Sequence, residues 1–282
     1  MLLGPELTEL VDQGRVLFTD IRSQDSHSAL LIADNLQRRA AFAIPQVCIE
    51  LAYHCQSGAF MSTLLRQTSM RYSLVCLATG IGDDLVDMPE TLSFRQRIEA
   101  ASSSVLLGHS AYSHLAERFC FPETPLIMSA IGNMSSRLTS AALAEARYRE
   151  SMRFSFDEYL RLAEQKTTSY TVPAFWLGNM LARNDSSDHS RIEAIGHRIG
   201  TVIQVIDDLL DGDSEDPKST DCAVRAGVAQ DNRHRHQAYQ IINDLLTETA
   251  RMVTKLRHPV LLLRFVTALQ RNLSFVSQKI IQ

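Results

Sequence analysis

The sequence predicts an all-α protein: a single-domain helical bundle over residues 1–282, with about ten or more helices around a deep central cavity. Glycine and proline are scarce, with 12 and 8 copies, and 45% of the residues are hydrophobic. Apolar residues recur at helical spacing through long stretches rich in alanine, leucine and arginine. The inner helical segments are hydrophobic nearly all round, which is typical of helices that surround a pocket.

The helical pattern is interrupted at short breaks, most of which lie near a proline such as Pro89, Pro217 or Pro259. No stretch has the composition of a linker, and this favours one domain. The predicted helices cover residues 5–22, 26–38, 42–57, 60–86, 91–118, 122–150, 156–183, 187–211, 220–254 and 258–281.

Two acidic clusters of identical spacing end two of these helices: Asp83, Asp84 and Asp87, and then Asp207, Asp208 and Asp211. On a helix, the first and fifth residues of such a cluster share one face. Their repulsion costs about 0.2–0.5 kcal/mol per pair, and a hard cation between the helices reverses that cost. A single cluster of this kind is usually a solvated surface. Its repetition after an apolar helix predicts a shared magnesium site.

Composition and charge exclude several other classes of protein. The net charge is −4 and no basic stripe with interleaved aromatics occurs, so no nucleic-acid partner is expected. The chain shows no signal-peptide pattern and no run of 18 apolar residues, so we expect a cytoplasmic protein without stable membrane insertion. The five cysteines are odd in number and scattered, and we expect them to be reduced and mostly buried.

Three motifs in register resemble the trans-isoprenyl diphosphate synthase (polyprenyl synthetase) family of the class I terpenoid synthase superfamily. They are the first acidic cluster, Lys166-Thr167, and the segment 200–211, which carries Gln204 three residues ahead of the second cluster. Their order and spacing cover roughly residues 35–225. The resemblance implies the isoprenoid synthase fold, a prenyl diphosphate substrate, three Mg²⁺ ions and a homodimer.

Carried over position by position, the resemblance assigns all six aspartates to the metal site. Direct coordination is expected first for Asp83, Asp87 and Asp207. Coordination either directly or through water is expected for Asp84, Asp208 and Asp211.

The resemblance also assigns the residues that bind the diphosphate. Lys166 is expected to hold it and to act in catalysis together with the three direct metal ligands. Gln204 is expected near it, and Lys218 is a weaker candidate for the same anion. Taken alone, a lysine on a helix is normally a surface residue, as is a lysine in a loop.

The chain departs from the family where the second substrate, isopentenyl diphosphate, would bind. Uncharged residues 40–44 stand where chain-elongating members carry a basic motif, and Leu92-Ser93 replaces an arginine pair. The family's glutamine-and-aspartate motif is also missing from residues 143–146. Each lost charged contact is worth about 1.5–3 kcal/mol. We therefore expect the second diphosphate site to be lost while the metal-held site is kept.

The leading hypothesis from these departures is a terpene cyclase that ionises farnesyl or geranylgeranyl diphosphate and cyclises or quenches the cation. Ala78 and Thr79 are small, which leaves room for a long chain. Aromatic rings such as Trp176 could stabilise a cation by about 0.5–2 kcal/mol each, although each is more often plain core. The residues expected to line the substrate pocket are Phe42, Cys76, Ala78, Thr79, Thr167, Tyr170 and Phe175.

Three alternatives stay open. The first is a trans-prenyl diphosphate synthase that condenses isopentenyl diphosphate with an allylic diphosphate. Its second site would use basic residues elsewhere, such as Arg38, Arg39, Arg66, Arg71 or Arg95. The second is prenyl transfer to another acceptor, such as a sugar or an aromatic. The third is a non-catalytic regulatory subunit, which the presence of both acidic clusters disfavours.

Overall fold

The computed structural model describes residues 43–87, 122–150, 155–182, 188–211 and 232–281, together with isolated residues between 93 and 109. All regular secondary structure in this part of the chain is helical, so the predicted fold class is confirmed. The helices are α1 (Ala43–Ser57), α2 (Thr63–Asp87), α3 (Thr124–Glu150), α4 (Phe156–Leu181), α5 (His189–Asp211), α6 (Asn232–Val253) and α7 (Val260–Ile281). The predicted helices 5–22 and 26–38, and most of 91–118, lie outside the described residues.

The starts of several helices follow from local sequence. Ser155 caps α4, since its hydroxyl accepts a hydrogen bond from the Glu158 amide while the Glu158 carboxylate accepts one from the Ser155 amide. Pro125 stands in the first turn of α3, and Pro259 immediately precedes α7. Proline lacks an amide hydrogen and is tolerated at these positions, where the amide would have no helical partner.

Helix α4 lies at the centre of the bundle, packed against α1, α3 and α5. Helix α5 packs in turn on α6, which contacts α7, and α2 contacts α1 and α3. Buried apolar side chains from all seven helices form one continuous hydrophobic core. Tyr72 and Phe175 are the largest fully buried side chains in it. Residues near the end of α5 are thereby held against the first half of α4.

Two glycines allow the central helices to approach closely. A Cβ atom on Gly178 would lie 2.2 Å from the Ile49 carbonyl oxygen, so α4 and α1 could not keep their separation with any larger residue. A Cβ atom on Gly200 would lie 2.3 Å from the Thr171 Oγ1 atom, where α5 crosses α4. These contacts are with backbone or buried atoms, so the close packing depends on glycine.

Within the described residues, every helix is too short or too polar to cross a membrane.

Candidate active site

The second acidic cluster lies at the carboxyl end of α5, and its two adjacent aspartates have different surroundings. Asp207 is exposed, whereas Asp208 is buried, with 7% of its surface accessible. Asp211 is the last residue of the helix, and the position of its side chain lies outside the described residues. Because consecutive residues on a helix point about 100° apart, one aspartate can face solvent while the next faces α4.

The buried Asp208 carboxylate accepts hydrogen bonds at both oxygens. The Tyr159 hydroxyl of α4 donates to Oδ2 at 2.5 Å, and Gln204 Nε2, one turn earlier on α5, donates to Oδ1 at 2.9 Å. The Thr167 hydroxyl donates to Gln204 Oε1 at 2.5 Å. Tyr159 and Thr167 are eight residues apart and therefore share a face of α4. These bonds tie the predicted Lys166-Thr167 motif to the second acidic cluster.

Lys166 is ion-paired with a residue that the sequence analysis did not single out. Its Nζ atom lies 2.8 Å from Glu145 Oε2, across the boundary between α3 and α4. The Glu145 side chain is 5% exposed and the Lys166 side chain is 24% exposed. The stretch 143–146 was judged to lack the family's motif, and it contributes this carboxylate instead. Glu145 stands alone in an alanine-rich sequence, and nothing local marks it as the partner of Lys166.

Tyr170 lies one turn beyond Lys166 and is surrounded by several of the predicted residues. Burial raises the pKa of its hydroxyl well above the usual range, and a hydrogen bond with Thr167 opposes that rise. The neighbouring Cys48, Asp207 and Cys76 raise the pKa further. These interactions bring Thr167, Tyr170, Asp207 and Cys76 near one another, from three different helices.

The predicted pocket residues of α2 lie close to α3 and to the segment that connects α2 with α3. The Cys76 sulfur is 3.0 Å from the Met134 sulfur. Ala78 is buried, and its carbonyl oxygen accepts a hydrogen bond from the Ser104 hydroxyl at 2.6 Å. The Thr79 hydroxyl donates to the Cys76 carbonyl within the helix.

Phe175 is fully buried, and its ring packs beside Gly196 where α4 meets α5. Its assignment to the pocket, and the presence of a deep cavity, stay predictions.

The first acidic cluster lies on the last turns of α2, which ends at Asp87, one residue beyond the predicted limit. The side chains of Asp83, Asp84 and Asp87 are outside the described part of the structure, as are Phe42 and Lys218 entirely. The convergence of the two clusters on one set of metal ions therefore stays a prediction.

Comparison with known proteins bears directly on this arrangement. The family model for polyprenyl synthetase matches residues 93–221, a range that contains Glu145, Tyr159, Lys166 and the second acidic cluster. Over this range the chain is similar to the polyprenyl synthetases. The resemblance drawn from the three motifs is thereby confirmed.

One curated relative is nonaprenyl diphosphate synthase of Mycobacterium tuberculosis, which is 26% identical over 162 residues. This alignment includes 55% of the present chain and 48% of the relative, so the chain spans about half the length of that protein.

Solved structures extend the likeness over nearly the whole chain. Heptaprenyl diphosphate synthase from Staphylococcus aureus superposes with a TM-score of 0.74 at 16% identity, covering 93% of this chain and 97% of that one. A second neighbour is geranylgeranyl pyrophosphate synthase from Corynebacterium glutamicum, which was solved with calcium and isoprenyl diphosphate. It superposes with a TM-score of 0.67 at 15% identity, covering 98% of both chains. The protein therefore has the isoprenoid synthase fold.

The donor set at the carboxyl end of α5 fits a magnesium ion. Mg²⁺ prefers carboxylate oxygens and water, and Asp207 presents a carboxylate at the exposed end of α5. Asp208 already accepts two hydrogen bonds, which suits a residue that orients its neighbour. Among the described residues, no three histidine, cysteine, aspartate or glutamate side chains cluster closely enough to hold an ion by themselves. That both acidic clusters supply ligands to one complete site stays a prediction.

Tyr159 is the second functional candidate that sequence reasoning missed. It lies seven residues before Lys166, so the two share a face of α4. That spacing was available in the sequence, but it gave no indication that Asp208 would be the partner of the hydroxyl.

Proposed function

We propose that the protein is a Mg²⁺-dependent class I isoprenoid synthase of the trans-prenyl diphosphate synthase type. It would ionise an allylic prenyl diphosphate and join the allylic group to isopentenyl diphosphate. The observation that supports the proposal is the Thr167–Gln204–Asp208 hydrogen-bond chain, which links the chain neighbour of Lys166 to the buried aspartate of the second acidic cluster.

The named relatives favour condensation over the cyclase hypothesis. They are nonaprenyl and heptaprenyl diphosphate synthases, which are chain-elongating enzymes by name. The Corynebacterium neighbour was solved with a divalent ion and an isoprenyl diphosphate, and this supports the same class of cofactor and ligand here. Three Mg²⁺ ions remain the expectation that the resemblance gave.

The chemistry begins with heterolysis of the allylic carbon–oxygen bond, whose electron pair leaves with the diphosphate. Lys166 would donate hydrogen bonds to that leaving group as its negative charge grows. Bound Mg²⁺, held by Asp83, Asp87 and Asp207, would supply further positive charge at the same oxygens. The double bond of isopentenyl diphosphate then forms the new carbon–carbon bond, and a proton lost to the released diphosphate restores a double bond.

The interior around Tyr170 suits a reactive carbocation. Tyr72 and Tyr170 are held in place, since the Tyr72 hydroxyl donates to the Tyr170 carbonyl at 2.6 Å. Burial keeps both phenols protonated by raising each pKa. Neutral phenols and the thiol of Cys76, whose pKa burial also raises, are weak nucleophiles. Because these side chains are poor acceptors of a carbocation, isopentenyl diphosphate would be the preferred acceptor.

Terpene cyclisation is the second candidate, and one observation favours it. Arg66 was a candidate for binding isopentenyl diphosphate, but its guanidinium donates to the buried Glu50 carboxylate. That pairing directs its charge into the contact between α1 and α2. Arg71 is also buried and has partners of its own, while Arg38, Arg39 and Arg95 lie outside the described residues.

The deciding experiment incubates the purified protein with Mg²⁺ and geranyl, farnesyl or geranylgeranyl diphosphate, each with and without isopentenyl diphosphate. Anionic and volatile products are analysed separately. Condensation predicts a longer linear diphosphate only when isopentenyl diphosphate is present. A hydrocarbon or alcohol formed from one prenyl diphosphate alone would support cyclisation instead. Absence of any product would leave a non-catalytic role.

The metal ligands are tested separately with Asp83→Ala and Asp207→Ala, one from each cluster. Both variants should lose turnover while their circular dichroism spectra keep the helical signal. Retained turnover in either one would contradict its role as a ligand. The homodimer and the cytoplasmic location stay predictions, which analytical ultracentrifugation and cell fractionation can check.

A further inference from the structure

Glu145 and Lys166 form an ion pair whose two ends have unequal exposure. The carboxylate is almost wholly buried on α3, and the lysine side chain on α4 keeps about a quarter of its surface accessible. A charged carboxylate in such a place is stable only when it is paired and hydrogen-bonded. The pair therefore holds the Lys166 ammonium against the buried carboxylate of α3.

An ammonium group has three N–H donors, so it can bind the Glu145 carboxylate and a second oxygen at the same time. The fixed carboxylate also selects one of the many rotamers that a lysine can adopt. Thr167, the next residue, is held in the hydrogen-bond chain that ends at Asp208. The Lys166 ammonium is therefore held by Glu145 of α3, while the next residue, Thr167, is tied to the second acidic cluster.

We propose that Glu145 is a positioning residue for the reaction, which holds Lys166 in place and competes with the substrate diphosphate for its positive charge. This inference rests on the proposed function, in which Lys166 binds the diphosphate. Competition lowers affinity for the anion in the ground state. Positioning ensures that the ammonium is correctly placed when charge develops on the leaving group, as required for catalysis by a preorganised site.

The two effects predict opposite changes in binding and turnover for Glu145→Gln, which keeps the shape and a hydrogen-bond acceptor but removes the charge. Inorganic pyrophosphate should inhibit the variant at roughly 3- to 10-fold lower concentration, because a negative charge beside the Lys166 ammonium has been removed. The turnover number should fall roughly 10-fold, because Lys166 is no longer held. A residue that merely stabilised the fold would not tighten pyrophosphate binding.

A matched control is Glu193→Gln, which neutralises the partner of Arg137 in another ion pair that involves α3. That pair is half exposed, with a separation of 3.9 Å. The control should leave both the pyrophosphate inhibition constant and the turnover number unchanged. If Glu145→Gln does not fold, Glu145→Asp serves instead, since it keeps the charge but moves it away from Lys166 and should lower turnover without tightening pyrophosphate binding.

Failure of this inference is distinguishable from failure of the proposed function. If the unmodified enzyme turns over a prenyl diphosphate and Glu145→Gln binds pyrophosphate equally or more weakly, the role of Glu145 is overturned and the function stands. If the unmodified protein has no prenyl diphosphate activity and does not bind pyrophosphate with Mg²⁺ in calorimetry, both are overturned.

Discussion

The Tyr159 hydroxyl donates a 2.5 Å hydrogen bond to Oδ2 of Asp208, which joins the amino-terminal half of α4 to the acidic end of α5. This bond keeps a carboxylate buried beside the exposed Asp207. Partners of this kind, one step removed from a metal ion, orient the residues that bind it.

Tyr159→Phe should therefore weaken the metal site while preserving the fold. Loss of a hydrogen bond to a buried charge should lower the free energy of unfolding by about 1.5–3 kcal/mol. The half-saturating Mg²⁺ concentration for turnover should rise about 10-fold. A magnesium titration of the rate measures this effect. Tyr53→Phe on α1 is the control, because Tyr53 takes no part in the described bonds of the site, and an identical Mg²⁺ requirement in both variants would refute the prediction.

Gly178→Ala should destabilise the protein, because the added methyl group would meet the Ile49 carbonyl oxygen at 2.2 Å and the Ala52 Cβ atom at 2.9 Å. Forcing α1 and α4 apart should cost about 1–3 kcal/mol. Gly132→Ala on α3 is a matched control, since its methyl group would meet nothing within 4 Å. That change should instead stabilise the helix by about 0.5–1 kcal/mol. Chemical denaturation of both variants measures the difference, and equal effects would contradict the packing argument.

The three described cysteines should be unreactive in the folded protein. Burial raises the pKa of Cys55 to about 12, and it raises the pKa values of Cys48 and Cys76 further. The reactive thiolate is therefore scarce at pH 8. A Cys120→Ser/Cys222→Ser variant isolates these three thiols. They should react with a chromogenic disulfide reagent in denaturant but only slowly in buffer. Rapid reaction in buffer would contradict the burial.

Acid should destabilise the protein through His54. Burial and the neighbouring His258 lower the pKa of His54 below its usual value of about 6.5. The folded state therefore binds this proton less readily than the unfolded chain. The contribution to stability is complete above about pH 6.5 and is lost as the pH falls through the lowered pKa.

Denaturation curves between about pH 7.5 and pH 5 should show a smaller loss of stability for His54→Gln than for the unmodified protein. His236→Gln, on the exposed side of α6, is the control and should keep the full loss. The same pH dependence in all three proteins would show that His54 does not cause it.

Within the described residues, the sequence by itself determined the helices and the positions of both acidic clusters near helix ends. Apolar spacing and helix-breaking residues act over a few turns, so helices such as α2 and α5 end within one residue of their predicted limits. The three motifs in register were also sufficient to indicate the resemblance to the polyprenyl synthetases.

Only the tertiary structure decided which groups these residues contact. The pairing of Glu145 with Lys166, and of Tyr159 with Asp208, depends on how α3, α4 and α5 are rotated against one another. That rotation is set by side-chain packing and by close contacts such as the one at Gly200. Residues far apart in the chain meet only after the whole core has formed, so no local pattern could have predicted the buried member of the Asp207–Asp208 pair.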